Sequence, residues 1–224
     1  MYIPRSYAED RPGELTAFMA AHPLGALVTA DAGGALYATH LPLMFDEGRG
    51  EHGLLAGHVA RANPHRRLTS DGADALVIFS GPEAYVSPVW YPGKATQGRE
   101  VPTWNYVAVH AWGRVRLIED PAWLLDHLTR LTDRSERDRA PAGDHAPWRV
   151  SDAPAEFVAQ QMKAIIGVEI AVTRLEGKWK MSQNRTAAEI DGVVAGLEAS
   201  PRALDRAVSA LVESRRPDRR GERA

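Results

Sequence analysis

The chain has 224 residues, a formal net charge of −2 and no cysteine. Without thiols there are no disulfides, thiolate metal ligands or cysteine nucleophile, and the near-neutral charge gives no overall basic footprint for nucleic acid, so DNA contact would need a local patch or a partner. The length suits one large domain whose core needs no staples, and MYIPRSYAED has no apolar signal core, nor is there any ~18-residue apolar run, so a cytoplasmic protein is expected.

Asp10-Arg11-Pro12-Gly13 introduces a short helix over Glu14–Ala21, closed by His22-Pro23. Leu24–Ala30 reads as a buried strand, and Asp31–Gly34 as a hairpin turn into a strand over Ala35–Phe45. The polar turn Asp46–Gly53 leads into Leu54–Val59, followed by a short helix at Asn63–Ser70 and a strand at Ala75–Ser80. Ala84–Ser87 and Trp104–His110 are further strands, with Trp112–Ile118 returning after a tight turn. Strands of this length and spacing, separated by turn signals, predict a mainly β barrel with flanking helices rather than a doubly wound sheet.

The second half changes character. Pro121–Leu131 has helical spacing with proline at a first helical position, and the charged stretch Arg134–Trp148 is expected to be a loop. Ala155–Ile166 reads as a helix, Val168–Leu175 as a strand, and Glu176-Gly177 as a turn into Lys178–Met181. Thr186–Glu189 has the capping-box form that opens a helix through Leu197. Ser200-Pro201 supplies a cap and a first-turn proline for a last helix to Val212. Arg215–Ala224, with five arginines against Asp218 and Glu222, is expected to be a disordered basic tail. The predicted organisation is therefore one domain over 1–214, with a helical C-terminal part over about 186–213.

Between Phe79 and Gly113, six aromatic residues (Tyr85, Trp90, Tyr91, Trp104, Tyr106, Trp112) are interleaved with Pro82, Pro88, Pro92 and Pro102. Proline stiffens the backbone, and rings held on a stiff backbone can either staple a small β-core or meet a flat ligand face to face. The wording of this block is specific. GPEAYVSPVWY followed by VPTWNY closely resembles the PaiB family of FMN-binding negative transcriptional regulators. MYIP, ATHLPL, GHVARANP and KMSQNR continue the resemblance in the family's order over almost the whole chain. The resemblance implies a flavin-binding split β-barrel, a homodimer, and FMN held in clefts between subunits.

Four segments carry the candidate site. In GHVARANP, His58, Val59, Ala60, Arg61 and Asn63 lie where a strand runs out into a helix, a place where backbone N–H groups and a cation can hold a phosphate. The same residues can equally be a helix cap beside a solvated arginine, and the resemblance favours the ligand. In ATHLPL, Thr39, Leu41 and Leu43 share one strand face while His40 and Pro42 share the other. Pro42 cannot donate to a ladder, which suits an edge or ligand-facing position. The resemblance sets Thr39, His40, Leu41 and Pro42 beside the isoalloxazine. VPTWNY alternates Thr103 and Asn105 against Trp104 and Tyr106, and the Asn105 amide suits a flavin edge or phosphate oxygen. KMSQNR sets polar groups just before a capped helix, where they can bind an anion or simply satisfy the helix start; the resemblance brings Lys180, Ser182 and Gln183, and also Arg185, to the flavin from the partner subunit. The loop Pro92–Glu100, with Lys94 and Arg99, is read as a mobile flap near the site, the alternative being an exposed hairpin loop.

Other chemistries leave no trace. The eight histidines show no compact metal spacing, and there is no P-loop, strand–GxGxxG–helix unit or nucleophile elbow. No residue stands out as a catalytic acid, base or nucleophile. Three functions are consistent with the chain: an FMN-binding regulator, an FMN-dependent oxidoreductase on the same fold, and a DNA-binding repressor with incidental flavin. The last helix lacks base-reading side chains near its start, which weighs against direct readout by a helix-turn-helix.

Overall fold

Alternating apolar residues build most of this molecule as antiparallel sheet. The computed structural model describes residues 1–65, 71–93, 98, 100–138 and 146–217. Its strands are β1 (Ala8–Glu9), β2 (Leu24–Ala30), β3 (Leu36–Pro42), β4 (Met44–Asp46), β5 (Leu54–Ala60), β6 (Asp74–Val86), β7 (Thr103–Ile118) and β8 (Ile165–Lys180). The α-helices are α1 (Pro12–Ala21), α2 (Pro121–Asp138), α3 (Ala155–Met162), α4 (Ala187–Glu198) and α5 (Ala203–Ser214). The strand order is β3-β2-β6-β7-β8-β5-β4, with β1 paired to β8 off that path. The chain divides into two compact units, one of residues 19–79 and 110–175, the other of 1–18, 80–109 and 176–224.

In the unit of residues 19–79 and 110–175, β2 pairs with β3 from Leu24↔Pro42 to Ala30↔Leu36, and with β6 through Ala26↔Ile78. β5 pairs with β8 from Leu54↔Ala171 to Ala60↔Ile165. The inward rows of these strands bury Leu27, Leu55, Val77, Phe79, Ile166 and Ile170. Period-two burial is what an amphipathic strand gives when one face meets a core. The single strand expected over Ala35–Phe45 is two, because the Leu43 N–H leaves the ladder and donates to Pro23 O at 2.8 Å.

In the other unit, α4 and α5 form a hairpin around Ile190, Val193, Leu197, Val208 and Val212. The expected capping box is present: Thr186 Oγ1 accepts from the Glu189 N–H and Glu189 Oε2 accepts from the Thr186 N–H at 2.9 Å. The last helix starts later than expected, at Ala203. Ser200 Oγ donates to Asp205 at 2.6 Å and accepts from the Arg202 N–H, so it closes the linker instead of capping the helix.

Two expected turns are absent. β7 and β8 are each unbroken 16-residue strands. A Cβ on Gly113 would collide with Ala171 O, and one on Gly177 would sit 2.6 Å from Glu9 O and also strike Leu15. Both glycines permit close backbone approach inside a strand; neither reverses the chain. Likewise β6 runs through Gly81-Pro82 as one 13-residue strand, α2 extends to Asp138 at the expense of the expected loop, and α3 ends at Met162 with β8 following from Ile165.

Arg215 and Arg216, assigned by sequence to a disordered tail, are held by ion pairs. Arg215 pairs with Glu9, and with Glu14 at 2.7 Å, and covers the Trp179 ring at 5.1 Å. Arg216 reaches Asp191 and Glu213, each at 2.7 Å. Residues 218–224 lie outside the described residues, as do 66–70 of the expected short helix and Lys94 and Arg99 of the expected flap.

Candidate functional site

The predicted residues gather into two clusters, one in each unit. The first is built on β3, β5 and the turn that follows β5. β3 ends the strand order, as Pro42 suggested. Thr39 is half-buried, Leu41 is core, and His40 and Pro42 point outward, which is the alternation expected of ATHLPL. Leu41 and Val59 are both buried, so any ligand they meet is met by their backbone.

The turn after β5 is fixed by hydrogen bonds from the Arg61 N–H to Ala164 O at 2.7 Å and from the Asn63 N–H to Ala60 O at 2.8 Å. The Asn63 side chain donates to Thr39 Oγ1 at 3.3 Å and accepts from the His65 N–H at 2.9 Å. His65 completes the group, with Nδ1 2.9 Å from Thr39 Oγ1 and Nε2 3.0 Å from Thr29 Oγ1. The guanidinium of Arg61 donates to Glu119 at 3.1 Å and to Lys163 O at 3.1 Å. Thr39, Arg61 and Asn63 thus lie on one strand-and-turn frame.

His58 faces elsewhere. Its Nδ1 lies 3.1 Å from His127 Nε2 of α2, and the His127 ring stacks on Trp123 with centroids 5.0 Å apart and planes 11° apart. Trp123 donates to Glu169 at 2.9 Å, and Arg49 and Arg116 pair with the same carboxylate at 2.9 and 2.6 Å. Burial would raise the Glu169 carboxyl, but the hydrogen bonds from Arg116, Trp123 and Arg49 outweigh it and hold the group below its ordinary range. Burial pushes the His127 imidazole down from its ordinary 6.5 to about 4, helped by the neighbouring His58 and Arg130 and opposed by Asp126. His58 is therefore engaged under α2 and is not part of the Thr39–Asn63 group.

The second cluster joins the start of β7 to the end of β8. Lys180 Nζ donates to Trp104 O at 2.7 Å and to Thr103 Oγ1. Burial, then the charges of Lys178 and Arg185, lower the Lys180 pKa. Trp104 is 46% exposed and meets the half-exposed Tyr85 edge to face at 6.0 Å. Lys178 lies over Tyr106 at 5.2 Å and over Tyr2 at 5.8 Å. The alternation expected of VPTWNY is present, with the aromatic side outward.

On the hydrogen-bonding side, Asn105 faces inward. Its side chain is 0% exposed and donates to Ser182 Oγ at 3.0 Å. Ser182 is itself buried and has φ 62°, the left-handed region that a non-glycine residue occupies only when its surroundings compel it. Gln183 also turns back, accepting from the Met181 N–H at 2.7 Å and donating to Trp179 O at 2.6 Å. Asn105, Ser182 and Gln183 therefore shape the backbone that presents Trp104 and Lys180. Arg185 pairs with Glu100 at 2.9 Å and Glu189 at 3.2 Å and covers the Tyr91 ring at 4.4 Å.

Sequence reasoning missed His65, Thr29, His127, Trp123 and Glu169. His65 had a local signal, since an Asn-Pro pair opens a turn and the next residue is placed by it; Thr29 and Glu169 are brought in from other strands, and Trp123 and His127 from α2. No described helix is long and apolar enough to cross a membrane.

The sequence matches, over residues 1–174, the family described as "Putative FMN-binding domain". It is 31% identical to the protease synthase and sporulation protein PAI 2 of Bacillus subtilis over 96% of this chain and 98% of that one. It is 34% identical to an uncharacterised protein of Emericella nidulans over 88% of this chain and 90% of that one. Among solved structures, the FAD and heme binding protein from Mycobacterium smegmatis superposes with a TM-score of 0.56 at 17% identity, covering 85% of this chain and 80% of the other. That likeness concerns the fold, which is a flavin-binding split barrel with helices added. FMN is the cofactor of the matched family, and the hydroxyl, amide, guanidinium and ammonium donors of the two clusters fit its acceptor-rich phosphate and ring edge. With a family match over residues 1–174 and near full-length similarity to PAI 2, the chain belongs to the PaiB family of FMN-binding proteins.

Proposed function

We propose that the protein is a homodimeric, FMN-binding negative regulator of transcription that works in the cytoplasm. The observation that carries this reading is the alignment with the Bacillus subtilis protein named for protease synthesis and sporulation, which leaves almost none of either chain unmatched. In this reading Thr39, Arg61 and Asn63 of one protomer hold polar groups of FMN, and the β3 backbone over Thr39–Pro42 borders its ring. Trp104 and Lys180 come to the same flavin from the partner protomer. Bound FMN supplies a redox-active flavin; the protein supplies donors, an aromatic wall and a phosphate counter-charge.

The placement of charge supports regulation without a reading helix. Asp205, Val208, Ser209 and Val212 of α5 are buried, and Arg215 and Arg216 are already paired within the chain. Regulation through the flavin-bound state is the form this favours.

The absorbance spectrum of the purified protein tests the first step. Flavin bands near about 370 and 450 nm are expected, since the cofactor carries its own electronics. The second step compares transcripts in cells carrying the wild type, a deletion, and Arg61→Ala. Derepression in both altered strains supports the regulator. Unchanged transcripts together with rapid nicotinamide oxidation by the purified protein would replace it with an FMN-dependent oxidoreductase.

A further inference from the structure

His65 is 3% exposed, yet both ring nitrogens and its backbone N–H are engaged by polar side chains of the first cluster. The geometry allows two orders of donors, one for each tautomer of the ring. Asn63 Oδ1 accepts the His65 N–H, so the amide is oriented with Nδ2 toward Thr39, and one lone pair of the Thr39 hydroxyl is taken. Burial pushes the His65 imidazole below its ordinary pKa, so the ring is neutral near pH 7 and carries a single N–H. With that proton on Nδ1, Thr39 accepts twice, and its own proton can go only outward. With the proton on Nε2, Thr39 donates to the ring and shows a lone pair outward.

We propose that His65 is a positioning residue which, held as the Nδ1–H tautomer between Thr29 and Thr39, fixes the Thr39 hydroxyl as an outward donor and thereby selects an acceptor-rich group of the flavin. This rests on the reading that Thr39 borders FMN. The tautomer agrees with the ligand's chemistry: a phosphate dianion offers only acceptors, and the oxidised ring presents carbonyl oxygens along its polar edge. A hydroxyl that already accepts two hydrogen bonds is a stronger donor than a free one, because hydrogen-bonded chains polarise one another. The Tyr37 ring, edge-on to His65 at 5.2 Å and 83°, flanks the imidazole.

The test has a direct and a functional arm. In flavin-free protein labelled with nitrogen-15, long-range proton–nitrogen correlation distinguishes a protonated from an unprotonated ring nitrogen. His65 is expected to be protonated on Nδ1, and an Nε2–H tautomer would overturn the inference. FMN titration followed by flavin fluorescence is then run on His65→Asn, His65→Gln and His65→Phe, with melting temperatures recorded alongside. Asparagine places an N–H near the Nδ1 position, and should keep affinity within about threefold; Gln and Phe should each lose about tenfold, one decade of the dissociation constant. Thr39→Val should lose about as much, and Thr39→Val combined with His65→Phe no more than either alone. Equal loss in His65→Asn and His65→Gln would reduce His65 to a packing role and sink the inference alone. Unchanged FMN affinity in Thr39→Val would instead remove Thr39 from the flavin site, and the inference with it.

Discussion

The guanidinium of Arg61 is committed on two sides, to Glu119 and to the Lys163 carbonyl. The ion pair is exposed, and exposed pairs contribute about 0–1 kcal/mol, so a phosphate dianion offering two oxygens can displace Glu119. Arg61→Ala should therefore weaken FMN by roughly 10–100-fold, the value of a charge-assisted hydrogen bond or two, while moving riboflavin little. Equal loss of both ligands in a fluorescence titration would place the phosphate elsewhere. His127 makes a different prediction. Its folded pKa of about 4 lies below the ordinary 6.5, so between those values the unfolded chain binds the extra proton. The stability it contributes is complete above pH 6.5 and is lost as pH falls toward 4. The denaturation midpoint of the wild type should fall across that window more steeply than that of His127→Phe. A parallel slope would mean that other groups set the pH dependence. Thr39 and Asn63 were legible as candidate site residues from their motifs. The inward turn of Asn105 was not, because alternation separates two faces of a strand without saying which one meets the core.

At the scale of elements, the boundaries that local chemistry sets were readable and those that pairing sets were not. β2 runs over Leu24–Ala30, and Thr186 caps α4, because an apolar run and a capping box are local signals. Gly177 was misread as part of a turn, since a glycine demanded by a neighbouring backbone looks in sequence like a glycine demanded by a reversal. α4 shows the same demand from the other side. A Cβ on Gly192 would collide with Trp90 O, and one on Gly196 with the Trp90 ring. The aromatic segment following β6 is thus seated on a smooth stripe of α4, which answers the choice between staple and ligand wall differently for different rings. Trp90 is a staple; Trp104 is half-exposed and free to be a wall. Gly192→Ala should raise helix propensity but overpack this contact, at a net cost of about 1–3 kcal/mol in urea denaturation. An unchanged or raised midpoint would show that the 3-10 turn Pro88–Trp90 yields without cost.

For the whole molecule, the barrel, the FMN cofactor and the family were all legible, because five motifs in fixed order are spread over almost the whole chain. The tail was not, since the ion pairs of Arg215 and Arg216 depend on Glu9, Glu14 and Asp191, far away in sequence. Deletion from Pro217 onward removes three arginines against Asp218 and Glu222, a net charge of +1. At about −0.9 in salt slope per neutralised phosphate, it should alter only weak, non-specific DNA retention. Deletion from Arg215 should in addition lower the melting temperature, because Glu9 loses a partner; the two deletions melting together would show those ion pairs to be idle. Tyr85, Val89, Val101 and Trp104 leave an apolar surface exposed in one unit, and a surface of this kind is a candidate for coverage by a second copy. An obligate interface of about 2,000 Å² or more should survive dilution. Sedimentation of a flavin-loaded monomer at low micromolar concentration would refute the dimer.

The pairing of Glu9 with Arg215 has a consequence for the order in which a ribosome can make this protein. Two charges 206 positions apart meet in a unit assembled from residues 1–18, 80–109 and 176–224. The first of these segments emerges early and has no complete docking surface until the last has been synthesised. Residues 19–79 and 110–175, by contrast, have all their own strand partners once β8 is about half made. Contacts of such long separation close slowly. In refolding followed by pulsed hydrogen exchange, amides of β2 and β5 should therefore gain protection before those of β1 and α5. The newborn chain would carry an unsatisfied leading segment through most of its synthesis, a window in which chaperones have something to hold.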